Sequence, residues 1–140
     1  MNACVVDASV VVQLFFTEPH TEQARLLVMR GTALHAPELL GLELDSAVWK
    51  RVRRREISFD EAREAREGFA AMRIASHSIG TLRDRGFDLA VRTGRSVYDC
   101  LYLALAVKTG CPLITADKRL VNALADTPLA KHVAWIGGLR

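Results

Sequence analysis

The stretch SVYDCLYLALAVKTGCPLITAD, residues 96–117, decides the fold class of this chain. Its first half, VYDCLYLALAVK, is apolar almost all round and stops at Gly110, as a buried helix with a glycine stop does. CPLIT, residues 111–115, is typical of a short buried strand. A buried helix followed at once by a buried strand is the repeating unit of a parallel sheet between helices.

The rest of the chain repeats this alternation. Strands are predicted at 3–6, at 33–36, more weakly at 76–79, and at 132–136. Pro37 is expected in the first turn of the helix that follows the second strand. Helices are predicted over about 8–16, 20–30, 38–55, 58–74, 81–93, 96–109 and a short segment from 117. The pattern therefore predicts an α/β layer fold with a mainly parallel sheet.

Composition limits the class of protein. The chain has 140 residues, half of them hydrophobic and a quarter charged, so we expect residues 1–140 to form one globular domain. No uncharged apolar run approaches the ~20 residues of a membrane span, and the apolar start lacks the basic segment of a secretory signal. The three cysteines lie in apolar runs without metal-binding spacing, which favours free thiols and a cytoplasmic protein.

The positive charge of the chain is local. The net charge is only +3, yet Lys50, Arg51 and Arg53 to Arg55 place five positive charges within six residues. The other 14 basic residues are outnumbered by 16 acidic ones. A solvated helix end explains such a cluster, and contact with RNA phosphates explains it as well. Arg95 could also reach a phosphate, so Arg53, Arg54, Arg55 and Arg95 are candidate RNA contacts.

Three aspartates occupy equivalent places in the predicted fold. Asp7 closes the first strand, Asp117 follows CPLIT, and Asp99 lies in the first turn of the apolar helix before CPLIT. In a parallel sheet, the carboxyl ends of strands and the N-termini of helices share one edge, where ligands bind. Each aspartate alone could be a helix cap or capping-box acid. Asp99 fits that role least well, because a helix that is apolar all round is usually buried.

Glu43 is the fourth candidate acid. At about 100° per residue it lies at the edge of the apolar face of its helix, whereas Glu38 and Asp45 point toward the opposite side. Four carboxylates on one edge would repel each other unless a cation neutralised them. Mg²⁺ and Mn²⁺ prefer such oxygen ligands, and two ions about 4 Å apart support phosphodiester hydrolysis.

Four segments together resemble a known family. VVDASVVV, PELLGLELDSAVWK, SVYDCLYLALA and LITADKRL are similar in order and spacing to the signature segments of PIN-domain nucleases, in particular the VapC-type toxins of bacterial toxin–antitoxin pairs. The resemblance implies a three-layer α/β/α domain with a five-stranded sheet and a Mg²⁺- or Mn²⁺-dependent endoribonuclease. It also implies a homodimer, and a small antitoxin that covers the active site.

The resemblance also implies roles for particular residues. Asp7, Glu43 and Asp99 match the core metal-binding acids, and Asp117 matches the more variable fourth acid. Ser9 and Thr115 match supporting hydroxyl positions of the family. Many members carry an asparagine where this chain has Asp45-Ser46, so what supports Glu43 stays open.

Two other classes of protein share part of this pattern. An aspartyl-phosphate phosphatase needs a second acid two residues after Asp7, where this chain has Ser9, and this nearly excludes that class. A non-catalytic PIN-like scaffold that binds RNA or a protein partner stays open. Tyr98 and Tyr102 are expected in the core or at an interface, without a catalytic role.

Overall fold

The computed structural model describes residues 1–140 and places a parallel sheet at the centre of the fold. The strands are β1 (Ala3–Val6), β2 (Ala33–Pro37), β3 (Ile74–His77), β4 (Leu113–Thr115) and β5 (Val133–Trp135). Their order across the sheet is β3-β2-β1-β4-β5, and every neighbouring pair is parallel. The predicted α/β fold with a five-stranded parallel sheet is therefore confirmed.

Seven helices connect the strands. They are α1 (Ala8–Val11), α2 (Thr21–Met29), α3 (Leu39–Arg53), α4 (Phe59–Ala71), α5 (Arg83–Thr93), α6 (Val97–Thr109) and α7 (Lys118–Leu124). Ser58 and Glu61 form the predicted capping box at the start of α4. Gly94 and Gly110 end α5 and α6 in the left-handed conformation that glycine adopts without strain. None of these helices is both long enough and apolar enough to cross a membrane.

Four local predictions differ from the structure. Pro37 is the last residue of β2 instead of the first residue of the next helix. The weak strand predicted at 76–79 is β3, which lies earlier, at Ile74–His77. The helix predicted over 8–16 is α1 followed by one 3-10 turn, Val12–Leu14. The helix predicted over 38–55 ends at Arg53, and Arg55 has a positive φ of 60°.

Helix α6 lies at the centre of the hydrophobic core. All its residues from Cys100 to Ala106 are buried, as the apolar sequence predicts. Its first turn, in contrast, projects out of the core, and Tyr98 is 62% exposed. The Asp99 side chain is accordingly 38% exposed, so the expectation of a deeply buried carboxylate at this position was wrong. The start of α6 therefore stands at the surface of the sheet edge where β1 and β4 end.

Candidate active site

Asp7 follows β1 and is held by hydroxyl groups from two elements. Ser9 Oγ donates a hydrogen bond to Oδ1 at 2.5 Å, and Thr115 Oγ1, at the end of β4, donates to Oδ2 at 2.6 Å. Each hydroxyl oxygen also accepts from a backbone N–H, Ser9 from Ala116 and Thr115 from Asp117, both at 3.0 Å. Because each N–H can only donate and the ionised carboxylate can only accept, each hydroxyl proton is directed to Asp7. The carboxylate is thus fixed in one orientation.

Glu43 reaches the same edge from α3. Its Oε1 accepts a hydrogen bond of 2.5 Å from the hydroxyl of Tyr102, which is buried in the middle of α6. Asp45 points away and pairs with Arg66 of α4 at 2.7 Å, so only one of the acids of α3 is directed to the sheet edge, as predicted. Tyr102 therefore supports Glu43 in this chain, which lacks the asparagine that many members of the resembled family carry after this glutamate.

The pKa values of these two acids are raised mainly by burial, with a smaller effect of neighbouring charge. Burial, with a small contribution from the charge of Glu43, raises the pKa of Asp7 to about 6 in spite of the hydrogen bonds from Ser9 and Thr115. Burial also raises the pKa of Glu43, the charge of Asp99 adds to this effect, and the hydrogen bond from Tyr102 opposes it. Asp7, Glu43 and Asp99 therefore act on one another through space.

Asp99 and Asp117 share an arginine. The Nη2 atom of Arg95 lies 3.6 Å from Oδ2 of Asp99 and 3.5 Å from Oδ2 of Asp117. Arg95 comes from the loop between α5 and α6, so the guanidinium joins that loop to the start of α7. The sequence predicts that Arg95 contacts a phosphate, whereas in this structure it pairs with two carboxylates.

The alternative that an aspartate only caps a helix applies differently to Asp7, Asp99 and Asp117. Asp7 stands at the N-cap of α1 but makes no side-chain capping bond. Asp117 does cap α7, because its Oδ1 accepts from the N–H groups of Arg119 and Leu120 at 3.0 and 3.2 Å. At α6 the cap is Ser96, whose Oγ accepts from the N–H of Asp99. The carboxylates of Asp7 and Asp99, and one oxygen of Asp117, are therefore not explained by capping.

The four acids form two groups in this structure. Glu43 and Asp7 lie on one side, with Tyr102 between α3 and the core, and Asp99 and Asp117 lie around Arg95. No set of three or more His, Cys, Asp or Glu side chains is placed, as the side chains stand, to hold one metal ion. A shared ion would have to draw the carboxylates together.

A cleft runs along α3 from Glu43, and its lining includes three acidic and three basic side chains. It has a volume of about 490 Å³ and is lined by Ala8 next to Asp7, by Glu43 and Ser46, and further on by Lys50 and Arg54. Arg51 also reaches this cleft, but it pairs with Glu18 and Glu56 and its guanidinium stacks over Phe16 at 4.3 Å. Lys50 and Arg54 make no ion pair.

The three predicted arginines of this cluster have different surroundings. Arg54 lines the cleft that contains Glu43. Arg53 lies over the exposed ring of Trp49, 5.4 Å from its centroid, and Arg55 follows the end of α3. Lys50 was not among the predicted RNA contacts. It lies one turn of α3 before Arg54 and therefore on the same face of the helix. That i, i+4 spacing was the signal in the sequence that could have separated Lys50 and Arg54 from their neighbours.

Known proteins resemble this chain in sequence and in fold. Residues 4–125 match the family model of the PIN domain. A ribonuclease named VapC3 from Pyrobaculum aerophilum is 38% identical over 84% of this chain and 92% of its own length. A crystal structure of PAE2754 from the same organism superimposes with a TM-score of 0.71 at 21% identity, covering 96% of this chain and 84% of that one.

A toxin–antitoxin complex from Klebsiella pneumoniae contains a similar fold, with a TM-score of 0.67 at 15% identity over 94% of this chain and 95% of that one. At 21% and 15% identity, the two solved structures show only that the fold is shared. The match to the family model and the 38% identity with VapC3 show common descent. The resemblance predicted from the four segments is thereby confirmed. This chain belongs to the PIN-domain family, in the group of the VapC ribonucleases.

Proposed function

We propose that this chain is the toxin of a toxin–antitoxin pair and hydrolyses RNA phosphodiester bonds with Mg²⁺ or Mn²⁺ at Asp7, Glu43, Asp99 and Asp117. The prediction of a VapC-type endoribonuclease is confirmed at the level of the family, since its relatives are named ribonucleases. The observation that carries the site assignment is Asp7: a carboxylate held by two directed hydroxyls, with a pKa raised to about 6 beside Glu43. Such an arrangement costs stability without a cation.

The donor set fits a hard divalent ion. The candidate ligands are carboxylate oxygens, which Mg²⁺ and Mn²⁺ prefer, and no cysteine or histidine contributes. Asp7 and Glu43 would hold the ion with Asp99, and Asp117 would stand at the margin with one oxygen turned to the cap of α7. A bound divalent ion supplies Lewis-acid activation of water and neutralises charge that develops on the phosphate.

The protein's own residues orient these ligands. Ser9 and Thr115 fix the plane of the Asp7 carboxylate, which keeps its free lone pairs aimed at the sheet edge. Tyr102 occupies Oε1 of Glu43 and leaves Oε2 for a ligand. Outer hydrogen bonds of this kind are typical of metal sites and set the affinity of the inner ligands.

The cleft along α3 supplies the path for RNA, because its two cations without an ion pair, Lys50 and Arg54, lie beyond Glu43. Lys50 and Arg54 line it together with Glu43, so a phosphate bound by either cation lies on the same surface as the acids. Phosphate contacts of this kind carry no sequence information and make binding sensitive to salt. Arg53 and Arg55 flank this path.

The remaining family properties are also proposed for this chain. We infer that residues 1–140 act as one cytoplasmic nuclease domain, that a small antitoxin covers the acids, and that the chain forms a homodimer. Exposed apolar side chains support the presence of protein partners, among them Phe87 and Val91 one turn apart on α5. Light scattering of the chain alone measures the dimer, and a single-chain mass contradicts it.

The decisive experiment combines RNA cleavage with divalent ions. The purified, antitoxin-free chain is incubated with total RNA in Mn²⁺, in Mg²⁺ or in EDTA, beside Asp7→Asn as a matched variant. Cleavage that needs a divalent ion and is lost in Asp7→Asn supports the proposal. RNA binding without cleavage would favour the alternative of a non-catalytic scaffold.

A further inference from the structure

Arg95 stands between two of the four acids. A single atom, Nη2, lies 3.5 and 3.6 Å from the nearest oxygens of Asp117 and Asp99, and the arginine side chain is only 27% exposed. Each of these acids comes from a different element, α6 and the N-cap of α7. A positive charge therefore lies next to both the Asp99 and the Asp117 carboxylate.

The position of Arg95 is not explained by its own hydrogen bonding. Its Nε atom is buried and has no hydrogen-bond partner, although a buried unpaired donor costs free energy. The two carboxylates lie at ion-pair distance and attract the guanidinium, and this attraction offsets part of the cost. An ion pair with one acid would be sufficient to tie the loop between α5 and α6 to α7.

We propose that Arg95 takes the place of a second metal ion, so that this chain binds a single divalent ion on the side of Asp7 and Glu43. This inference rests on the proposed function. Two carboxylates that face each other need a cation, and the guanidinium supplies that charge without a metal.

Repulsion between Arg95 and a divalent ion leads to a specific expectation for the number of bound ions. A divalent ion bound between Asp99 and Asp117 would stand next to a guanidinium that cannot lose its proton. Removing Arg95 leaves the two aspartates without a counter-charge, and this restores the conditions for a second oxygen-ligand site. The expected change is therefore in the number of ions that bind, which a purely structural ion pair would not alter.

The test counts Mn²⁺ ions on the antitoxin-free chain, in the absence of RNA, by isothermal titration calorimetry. We expect one ion per wild-type chain and two per Arg95→Met chain, with Arg95→Gln as a second variant if the first does not fold. Arg92→Met is the matched control, because Arg92 is an exposed arginine in the last turn of α5 without an ion pair. It should bind one ion.

Two outcomes overturn the inference alone: two ions on the wild-type chain, or one ion on a folded Arg95 variant. No binding of Mn²⁺ to the wild-type chain would overturn both the inference and the metal site of the proposed function. The count thus distinguishes a failure of the role of Arg95 from a failure of the site.

Discussion

The hydroxyl of Tyr102 donates a hydrogen bond of 2.5 Å to Glu43, and this bond joins the most buried helix of the protein to its active-site edge. Burial raises the pKa of Tyr102 most, its hydrogen bond to Glu43 adds to this, and the charges of Glu43, Asp7 and Asp99 raise it further, so this one phenol is influenced by three of the four acids. We interpret Tyr102 as a positioning residue for Glu43.

The first prediction tests this interpretation with Tyr102→Phe. A hydrogen bond to a charged group contributes about 1.5–3 kcal/mol, so we expect Mn²⁺ affinity to fall by about tenfold to a hundredfold. Tyr98→Phe is the control, because Tyr98 lies on the same helix but is exposed. Calorimetric titration with Mn²⁺ measures the effect, and equal affinities for the two variants would contradict the positioning role.

The second prediction concerns the acids themselves. Asp7→Asn, Glu43→Gln and Asp99→Asn should each lower RNA cleavage by about a hundredfold or more, because several kcal/mol of transition-state stabilisation depend on the ion they hold. Asp117→Asn should lose less, since asparagine caps α7 nearly as well and still offers an oxygen. Initial rates on a labelled RNA give the ranking. Full activity in Asp99→Asn would defeat the site assignment.

The third prediction is a pH dependence of stability without metal. The folded-state pKa of Asp7 is raised from 3.8 to about 6, so the folded protein binds more protons than the unfolded chain between these values. The free energy of unfolding therefore falls as the pH rises from 3.8 to about 6, by up to about 3 kcal/mol. Asp7→Asn lacks this loss.

Urea unfolding in EDTA at pH 4 to 7 measures the difference. We expect the stability of Asp7→Asn relative to wild type to increase over this range and to level off above pH 6. Excess Mn²⁺ should reverse the order at pH 7, because it stabilises the wild type by mass action. A difference that does not change with pH would mean that Asp7 is not the titrating group.

The fourth prediction compares the basic residues that line the cleft along α3 with their basic neighbours outside it. Lys50→Gln with Arg54→Gln removes the unpaired cations of the cleft, and each lost phosphate contact should reduce the log–log salt slope of RNA binding by about 0.7. Arg53→Gln with Arg55→Gln removes the same charge outside the cleft and is the matched control. Fluorescence anisotropy at several salt concentrations measures both slopes, and identical slopes would leave only a general effect of net charge.

Sequence patterns were sufficient where one physical rule dominated. The strand before Asp7, the capping box at Ser58 and the glycine stops depend on local rules, and the placement of Asp7 and Asp117 at one edge of the sheet follows from the geometry of neighbouring parallel strands. Pro37 was misplaced because the fixed φ of proline suits extended backbone as well as the first turn of a helix.

The contacts that decide the electrostatics could not be predicted from the sequence. Tyr102 lies 59 residues from Glu43 in the chain, and nothing in an apolar helix shows which tyrosine meets an acid. The exposure of Asp99 depends on how far the first turn of α6 projects beyond the core, which is a tertiary property. The pairing of Arg95 with two acids depends in the same way on where α7 begins.

The bond from Thr115 to Asp7 spans 108 positions of the chain and bears on how the protein is made. Asp7 is synthesised 108 residues before the hydroxyl that orients it, and β1 is likewise made long before β4, the strand that pairs with it. A growing polypeptide that has not yet reached Thr115 therefore lacks an oriented Asp7. During this part of translation the ribosome carries a nuclease whose site is still unassembled, and RNA near the ribosome is safe from it until Thr115 has been added.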